Sequence, residues 1–241
     1  MSQSSNSTVA GQRFDDAVAA FRAGEPVLIH DAADREGEVD LVYPATAVTP
    51  DAVARMRNDA GGLICVAISD AVATAWELPF IQDVLDHPAA AAHDLGYDER
   101  SSFSLTVNHR DTFTGITDED RALTISELGT ATAEIERAMS VAGDDATDSI
   151  DTDAERFAER FRSPGHVHLL RAAPNLLDDR EGHTELGVAL AHEAGVPPAV
   201  VVCEMMDDET GGALSPAAAQ AYAQRHGFAY VEGATLLSRL E

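Results

Sequence analysis

Apolar and polar positions along this chain fall into short blocks, each with the period of a helix face or of a strand. Phe14, Ala17, Val18 and Phe21 recur at helical spacing, and Gly24 and Pro26 close that helix. The apolar run 27–30 reads as a strand, a charged connection follows, and 39–43 reads as a second strand. Thr49 and Pro50 suit the N-cap and first turn of a helix through Met56 that stops near Gly61 and Gly62. Residues 63–68 make a third strand, and Ser69 caps a short helix ending at Pro79. No period is visible from 80 to 100. Alternation over 103–107 predicts a half-buried strand, then a loop over 108–116, then helical sequence from Asp118 to Met139 with a break at Gly129. A strand at 167–170, a helix over 186–194, a strand over 199–205, a helix from Ser215 and Pro216 to Gly227, a strand over 228–231 and a terminal helix complete the series. Strands and helices mixed in this way predict an α/β (α+β) fold, with a mixed sheet packed with helices in a layered sandwich and a single domain.

Residues 1–11 are small, polar and aperiodic, which predicts a flexible tail ahead of one domain at 12–241. An aspartate-rich stretch within about 141–160 predicts an acidic surface insertion. The longest apolar runs are too short to span a membrane and no secretory layout opens the chain, so a cytoplasmic protein without a membrane partner is expected. Cys65 and Cys203 stand singly in apolar runs, which favours two reduced, buried thiols.

Charge narrows the picture further. The 241 residues carry 42 acidic and 16 basic side chains, a net charge of −26, and every basic one is arginine. Such a field repels phosphate, so broad nucleic-acid or anionic-membrane binding is not expected. The same self-repulsion predicts a halophilic protein adapted to a high-salt cytoplasm. An anionic substrate would need a local pocket of arginines and metal ions.

The connection Arg35-Glu36-Gly37-Glu38-Val39-Asp40 is the first candidate for such a pocket. Glu36, Glu38 and Asp40 share one face of an extended backbone, an arrangement that either a divalent cation or simple solvation of an acidic turn can satisfy. Arg180, Glu181, Gly182, His183 and Thr184 precede a helix, where the dipole, Gly182, a Thr184 cap and Arg180 suit an anion; an ordinary capped helix start reads the same way. His183 there could give a nitrogen to a metal or only hydrogen-bond within a loop. His166 opens a strand, and Glu204 ends an apolar one, where a desolvated carboxylate suits proton transfer unless it points to solvent. There is no GxGxxG, P-loop, GxSxG or HExxH pattern, which removes the usual nucleotide, serine-hydrolase and zinc-protease readings.

In order, Asp34 to Asp40, Thr114-Gly115-Ile116 with Asp120-Arg121, Arg162 to Val167, Gly182 to Glu185 and Cys203-Glu204-Met205 resemble the 3,4-dihydroxy-2-butanone-4-phosphate synthase family of riboflavin biosynthesis. The resemblance runs from about Phe14 to Leu237 and is most like archaeal, monofunctional members. It implies conversion of D-ribulose 5-phosphate to L-3,4-dihydroxy-2-butanone 4-phosphate and formate by a homodimer with two Mg2+ or Mn2+ ions and no organic cofactor. By position it implies Glu36 and His183 as metal ligands and Arg35 and Asp40 on the sugar hydroxyls. Arg180, Glu181, Gly182, His183 and Thr184 would lie at the phosphate, and Thr114 on a loop that closes on substrate. His166 and Glu204 match a pair on which family activity depends, Glu38 has a supporting or proton-relay role, and Cys65 matches a near-site thiol. Val39 replaces a common glycine, and should pack away from Asp40. A dinuclear sugar-phosphate phosphatase or a non-catalytic phosphate-binding module are the alternatives on the residues themselves.

Overall fold

The computed structural model describes residues 2–31, 35–90, 100–142 and 150–240. Helix α1 (Ser2–Arg22) leads into β1 (Val27–His30), and the chain returns antiparallel as β2 (Val39–Pro44). Helix α2 (Pro50–Arg55), widened into one π turn over Met56–Ala60, precedes β3 (Cys65–Ile68) and the short helices α3 (Asp70–Ala75) and α4 (Ile81–Val84). Then come β4 (Phe103–His109), α5 (Asp118–Ala142), α6 (Ile150–Arg160) and β5 (Phe161–Arg171). Helix α7 (His183–Ala194), β6 (Ala199–Val202), α8 (Pro216–His226), β7 (Ala229–Glu232) and α9 (Gly233–Leu240) finish the fold.

The strands form one seven-stranded mixed sheet in the order β4-β5-β3-β6-β2-β1-β7. Pairs β1–β7 and β3–β5 are parallel and the other four are antiparallel. Alternation along each strand sends side chains to two cores. Val39, Leu41 and Tyr43 join residues of α2, α5 and α8 on one face. Val27, Ile29 and Val42 join residues of α1, α7 and α9 on the other. The result is a helix–sheet–helix sandwich. Val39 is fully buried on the face opposite Asp40, as period two requires. Among the described residues no helix is long and apolar enough to cross a membrane.

The caps lie where the sequence puts them: Thr49, Ser69 and Ser215 accept hydrogen bonds from the third residue onward, and Gly195 and Gly227 end their helices with left-handed backbone. Several elements differ from expectation. Residues 2–11 continue α1 rather than forming a tail, since no proline interrupts a helix already nucleated by the Phe14–Phe21 face. Helix α5 passes through Gly129 without a break. Gly129 is there because the helix crosses the chain at Ala45–Thr46, and a Cβ would stand 2.7 Å from the Thr46 nitrogen. The second half of the acidic stretch forms α6, whose Phe157 ring stacks on Phe161 and Trp76 and whose Arg160 pairs with Glu127 and Glu134; 143–149 lie outside the described residues. Strand β5 begins at Phe161, six residues ahead of its expected start. There Gly165 presses on the Val107 backbone, the register with β4 slips, and the Asn108 Oδ1 and Thr106 Oγ1 oxygens accept from the His166 and Gly165 amides. In the stretch expected to be irregular, α4 and a 3-10 turn at Pro88–Ala90 form, and 91–99 lie outside the described residues.

Candidate metal and substrate site

The chain reverses between β1 and β2 around a buried carboxylate. Asp31 Oδ1 accepts from the Glu38 amide at 3.1 Å, Oδ2 from the Glu36 amide at 3.4 Å, and the Asp31 amide donates to the Glu38 carbonyl at 3.2 Å. Gly37 supplies the positive φ of 66° that this turn needs. The turn is thereby fixed with Glu36 toward the start of α7.

Helix α7 begins at His183, with Gly182 at the N-cap and no side chain capping it. Thr184, expected as a cap, is instead the second helical residue; it is buried and lines the cavity described below. His183 Nε2 lies 3.2 Å from the Ile29 carbonyl oxygen. A carbonyl only accepts, so Nε2 carries a proton, and whenever the imidazole is neutral its lone pair lies on Nδ1. Nδ1 stands 3.6 Å from Asp40 Oδ1 and 3.8 Å from Glu36 Oε2. Asp31, Glu36 and His183 offer ligand atoms within 4.8 Å of one another. Among the described residues Asp40 Oδ1 is buried without a hydrogen-bond partner.

Electrostatics follow from this crowding. The His183 imidazole holds the Glu36 carboxyl below its ordinary range, with Arg35 and Arg180 adding to the effect. Burial, against the pull of His183, pushes Asp40 up to about 7. Burial alone would lower His183, but Asp40, Glu36 and Asp31 outweigh it and raise the imidazole to about 9. Burial, with Glu36 and Glu204 nearby, raises Glu38. A site that stacks carboxylates on a histidine whose second nitrogen is tied to a carbonyl fits a hard divalent cation, which takes oxygen ligands and a neutral imidazole.

A cavity of about 360 Å3 opens beside these groups, lined among others by Glu36, Asp40, Cys65, Arg180, His183 and Glu204. Glu204 pairs through its backbone with Asp40 of β2 in an isolated antiparallel bridge, and its Oε2 accepts from the Leu63 amide at 2.8 Å. Gly62 makes room for it, because a Cβ there would come within 2.5 Å of the Glu204 side chain. Cys65 is buried, and burial with Glu204 and Asp40 beside it pushes its thiol far up, so it stays protonated. Arg180 donates to Ser102 Oγ at the cavity wall. Arg35 reaches Gly182, where a Cβ would stand 3.1 Å from its Nη2.

The remaining expected residues lie elsewhere. Glu181 is exposed, outside the cavity lining. His166 is exposed on β5, with Nδ1 3.2 Å from Asn108 Nδ2, and it too is outside the lining. Thr114 sits in an exposed loop held by Asp120, which accepts from the Phe113, Thr114 and Gly115 amides. Sequence reasoning missed Asp31, Ser101, Ser102, Arg100 and Glu185. Asp31 had a signal, a lone carboxylate directly after an apolar strand. Ser101 and Ser102 follow an aperiodic stretch and had none.

Fold and site together define an α/β protein whose cavity joins a group of side chains that could hold a divalent cation to the start of α7. The family model for 3,4-dihydroxy-2-butanone 4-phosphate synthase matches residues 15–239. The synthase of Archaeoglobus fulgidus is 49% identical over 93% of this chain and 92% of its own length. That of Methanosarcina mazei is 46% identical over 93% of this chain and 89% of its own. A solved synthase in complex with two magnesium ions superposes with a TM-score of 0.73 at 29% identity, covering 94% of this chain and 95% of its own. The Candida albicans synthase gives a TM-score of 0.70 at 29% identity, covering 94% and 96%. The chain belongs to the 3,4-dihydroxy-2-butanone 4-phosphate synthase family, lyases of riboflavin biosynthesis that convert D-ribulose 5-phosphate to the four-carbon ketone phosphate and formate.

Proposed function

We propose that this chain carries out that reaction in the cavity between the β1–β2 turn and α7, with two Mg2+ or Mn2+ ions and no organic cofactor. The observation that carries the reading is the convergence of Glu36 Oε2 and Asp40 Oδ1 on Nδ1 of His183, whose Nε2 is committed to Ile29. Glu36 and His183 would hold the metal, with Asp31 in the same cluster. Held by these residues, divalent cations would supply Lewis-acid chemistry that would make the C–H next to the sugar's ketone more acidic.

The chain's own groups do the rest. Arg180 and the first turn of α7, from Gly182 to Thr184, hold the phosphate end. Arg35 and Asp40 orient the sugar hydroxyls. Asp40, with a carboxyl raised to about 7, can hold or release a proton at Oδ1 near neutral pH. Glu38, also raised, and Glu204, the backbone-bridge partner of Asp40, are the other carboxylates available for enolisation, loss of water, carbon shift and formate release.

His166 and Thr114 stand outside the cavity of a single chain, which supports a homodimer in which these residues come from the second copy. Residues 12–241 act as one synthase domain in this reading, with 141–160 a peripheral connection. The net charge of −26 without lysine supports a halophilic, cytoplasmic enzyme with no nucleic-acid or membrane partner. Incubation of the purified protein with ribulose 5-phosphate and Mg2+ tests the reading: formate should accumulate with the four-carbon ketone phosphate. Release of inorganic phosphate without formate would mark a phosphatase instead.

A further inference from the structure

Glu185 is a fully buried carboxylate, 0% exposed, in the first turn of α7, and the chemistry above makes no use of it. Its Oε1 accepts from the Ala173 amide at 2.9 Å, across the loop that joins β5 to α7. Its Oε2 lies 3.5 Å from Arg180 Nη1. The surroundings of Gly182 locate a second guanidinium. A Cβ on Gly182 would stand 3.1 Å from Arg35 Nη2, 3.2 Å from Glu185 Oε2 and 3.5 Å from Arg180 Cζ. One buried carboxylate thus shares the surroundings of Gly182 with two arginines from distant parts of the chain, Arg180 pairing with it and Arg35 also lying 3.9 Å from Asp31 Oδ2 through its Nε.

Two cations this close repel unless an anion stands between them, and burial strengthens both effects. Burial also pushes the Glu185 carboxyl up, with Arg180 and Arg35 opposing it. A charge there costs solvation that the two arginines only partly offset.

We infer that Glu185 is a positioning residue for substrate binding: its carboxylate holds the Arg35 and Arg180 guanidiniums on either side of Gly182, in the setting that receives a phosphate monoester at the start of α7. Gly182 belongs to the same device, because a Cβ there would crowd Arg35 Nη2 and Glu185 Oε2 by a few tenths of an ångström. This assignment rests on the synthase reading for the identity of the substrate, but not for the anion contact itself.

Glu185→Gln keeps the shape and an oxygen for the Ala173 amide while removing the charge. Two readouts apply: the affinity of wild type and variant for inorganic phosphate by titration calorimetry, and kcat and KM with ribulose 5-phosphate and Mg2+. The expected result is a phosphate affinity about tenfold weaker and a KM raised by about the same factor, with kcat within about threefold of wild type. In an Arg180→Gln background the same change should weaken phosphate binding much less, since its main partner is already gone. Unchanged phosphate affinity and KM in Glu185→Gln, or a fall in kcat alone, would overturn the assignment. If Glu185→Gln does not fold, Glu185→Asp recesses the charge by one methylene and is read by the same two measurements, with the same overturning result. Wild type that binds phosphate but releases no formate would sink the synthase reading and leave the Glu185 assignment standing.

Discussion

His183 is held from both sides, by the Ile29 carbonyl at Nε2 and by the Asp40 and Glu36 carboxylates near Nδ1. Its raised value, about 9, has a consequence for metal-free protein. A group whose folded pKa exceeds its unfolded one stabilises the fold fully below the unfolded value, near 6.5 for histidine, and loses that contribution as pH rises through the folded value. Asp40, raised to about 7, acts in the same direction between about pH 4 and 7. Protein stripped with a chelator should therefore melt at progressively lower temperature from pH 6.5 to 9, and Mg2+ should restore more of the melting temperature at the alkaline end, because a metal needs the neutral imidazole. Melting curves across that range, with and without Mg2+, check this; a Mg2+ effect that shrinks as pH rises would contradict it. Glu36, Asp40 and His183 were all legible as candidates in the sequence, because charged residues interrupting apolar blocks stand out. Asp31 and Glu185 were not assigned roles. Their function is set by what folds over them, the Glu36 and Glu38 amides for one and two arginines for the other, and no spacing rule encodes such partners.

Among the elements, caps and stops were the readable part. Thr49, Ser69, Ser215, Gly195 and Gly227 act through residues at most a few positions away, so local sequence is enough to place them. Gly129 shows the opposite case. Read locally it weakens a helix; in the fold it lets α5 cross the Ala45–Thr46 backbone. Gly129→Ala, which in an open helix would gain up to about 1 kcal/mol, should instead cost about 1–3 kcal/mol by forcing that crossing apart. Denaturant midpoints of the two proteins decide it, and a more stable variant would refute the close-contact explanation. Helix α6 escaped notice for a related reason. Aspartates dominate the composition there, while the single ring of Phe157 packs it against Phe161 and Trp76.

At the scale of the whole molecule, the layer order and the mixed sheet were readable from alternating strands and helices, whereas strand order was not, since β5 lies between β4 and β3 only through long-range pairing. Net charge acts at this scale too. With −26 charges on 241 residues, raising KCl from 0.1 M to 1 M shortens the screening length from about 10 Å to about 3 Å and should raise the melting temperature. A melting temperature that stays flat or falls over that range would remove the halophilic reading. The central claim is that the β1–β2 turn and the start of α7, more than 140 residues apart in sequence, form one cation site. Electron paramagnetic resonance of free Mn2+ titrated with protein tests it most directly. Wild type should deplete the free-ion signal, and Glu36→Gln and His183→Ala should each weaken that binding at least about tenfold while keeping native circular dichroism. Two folded variants that bind Mn2+ as wild type does would contradict it.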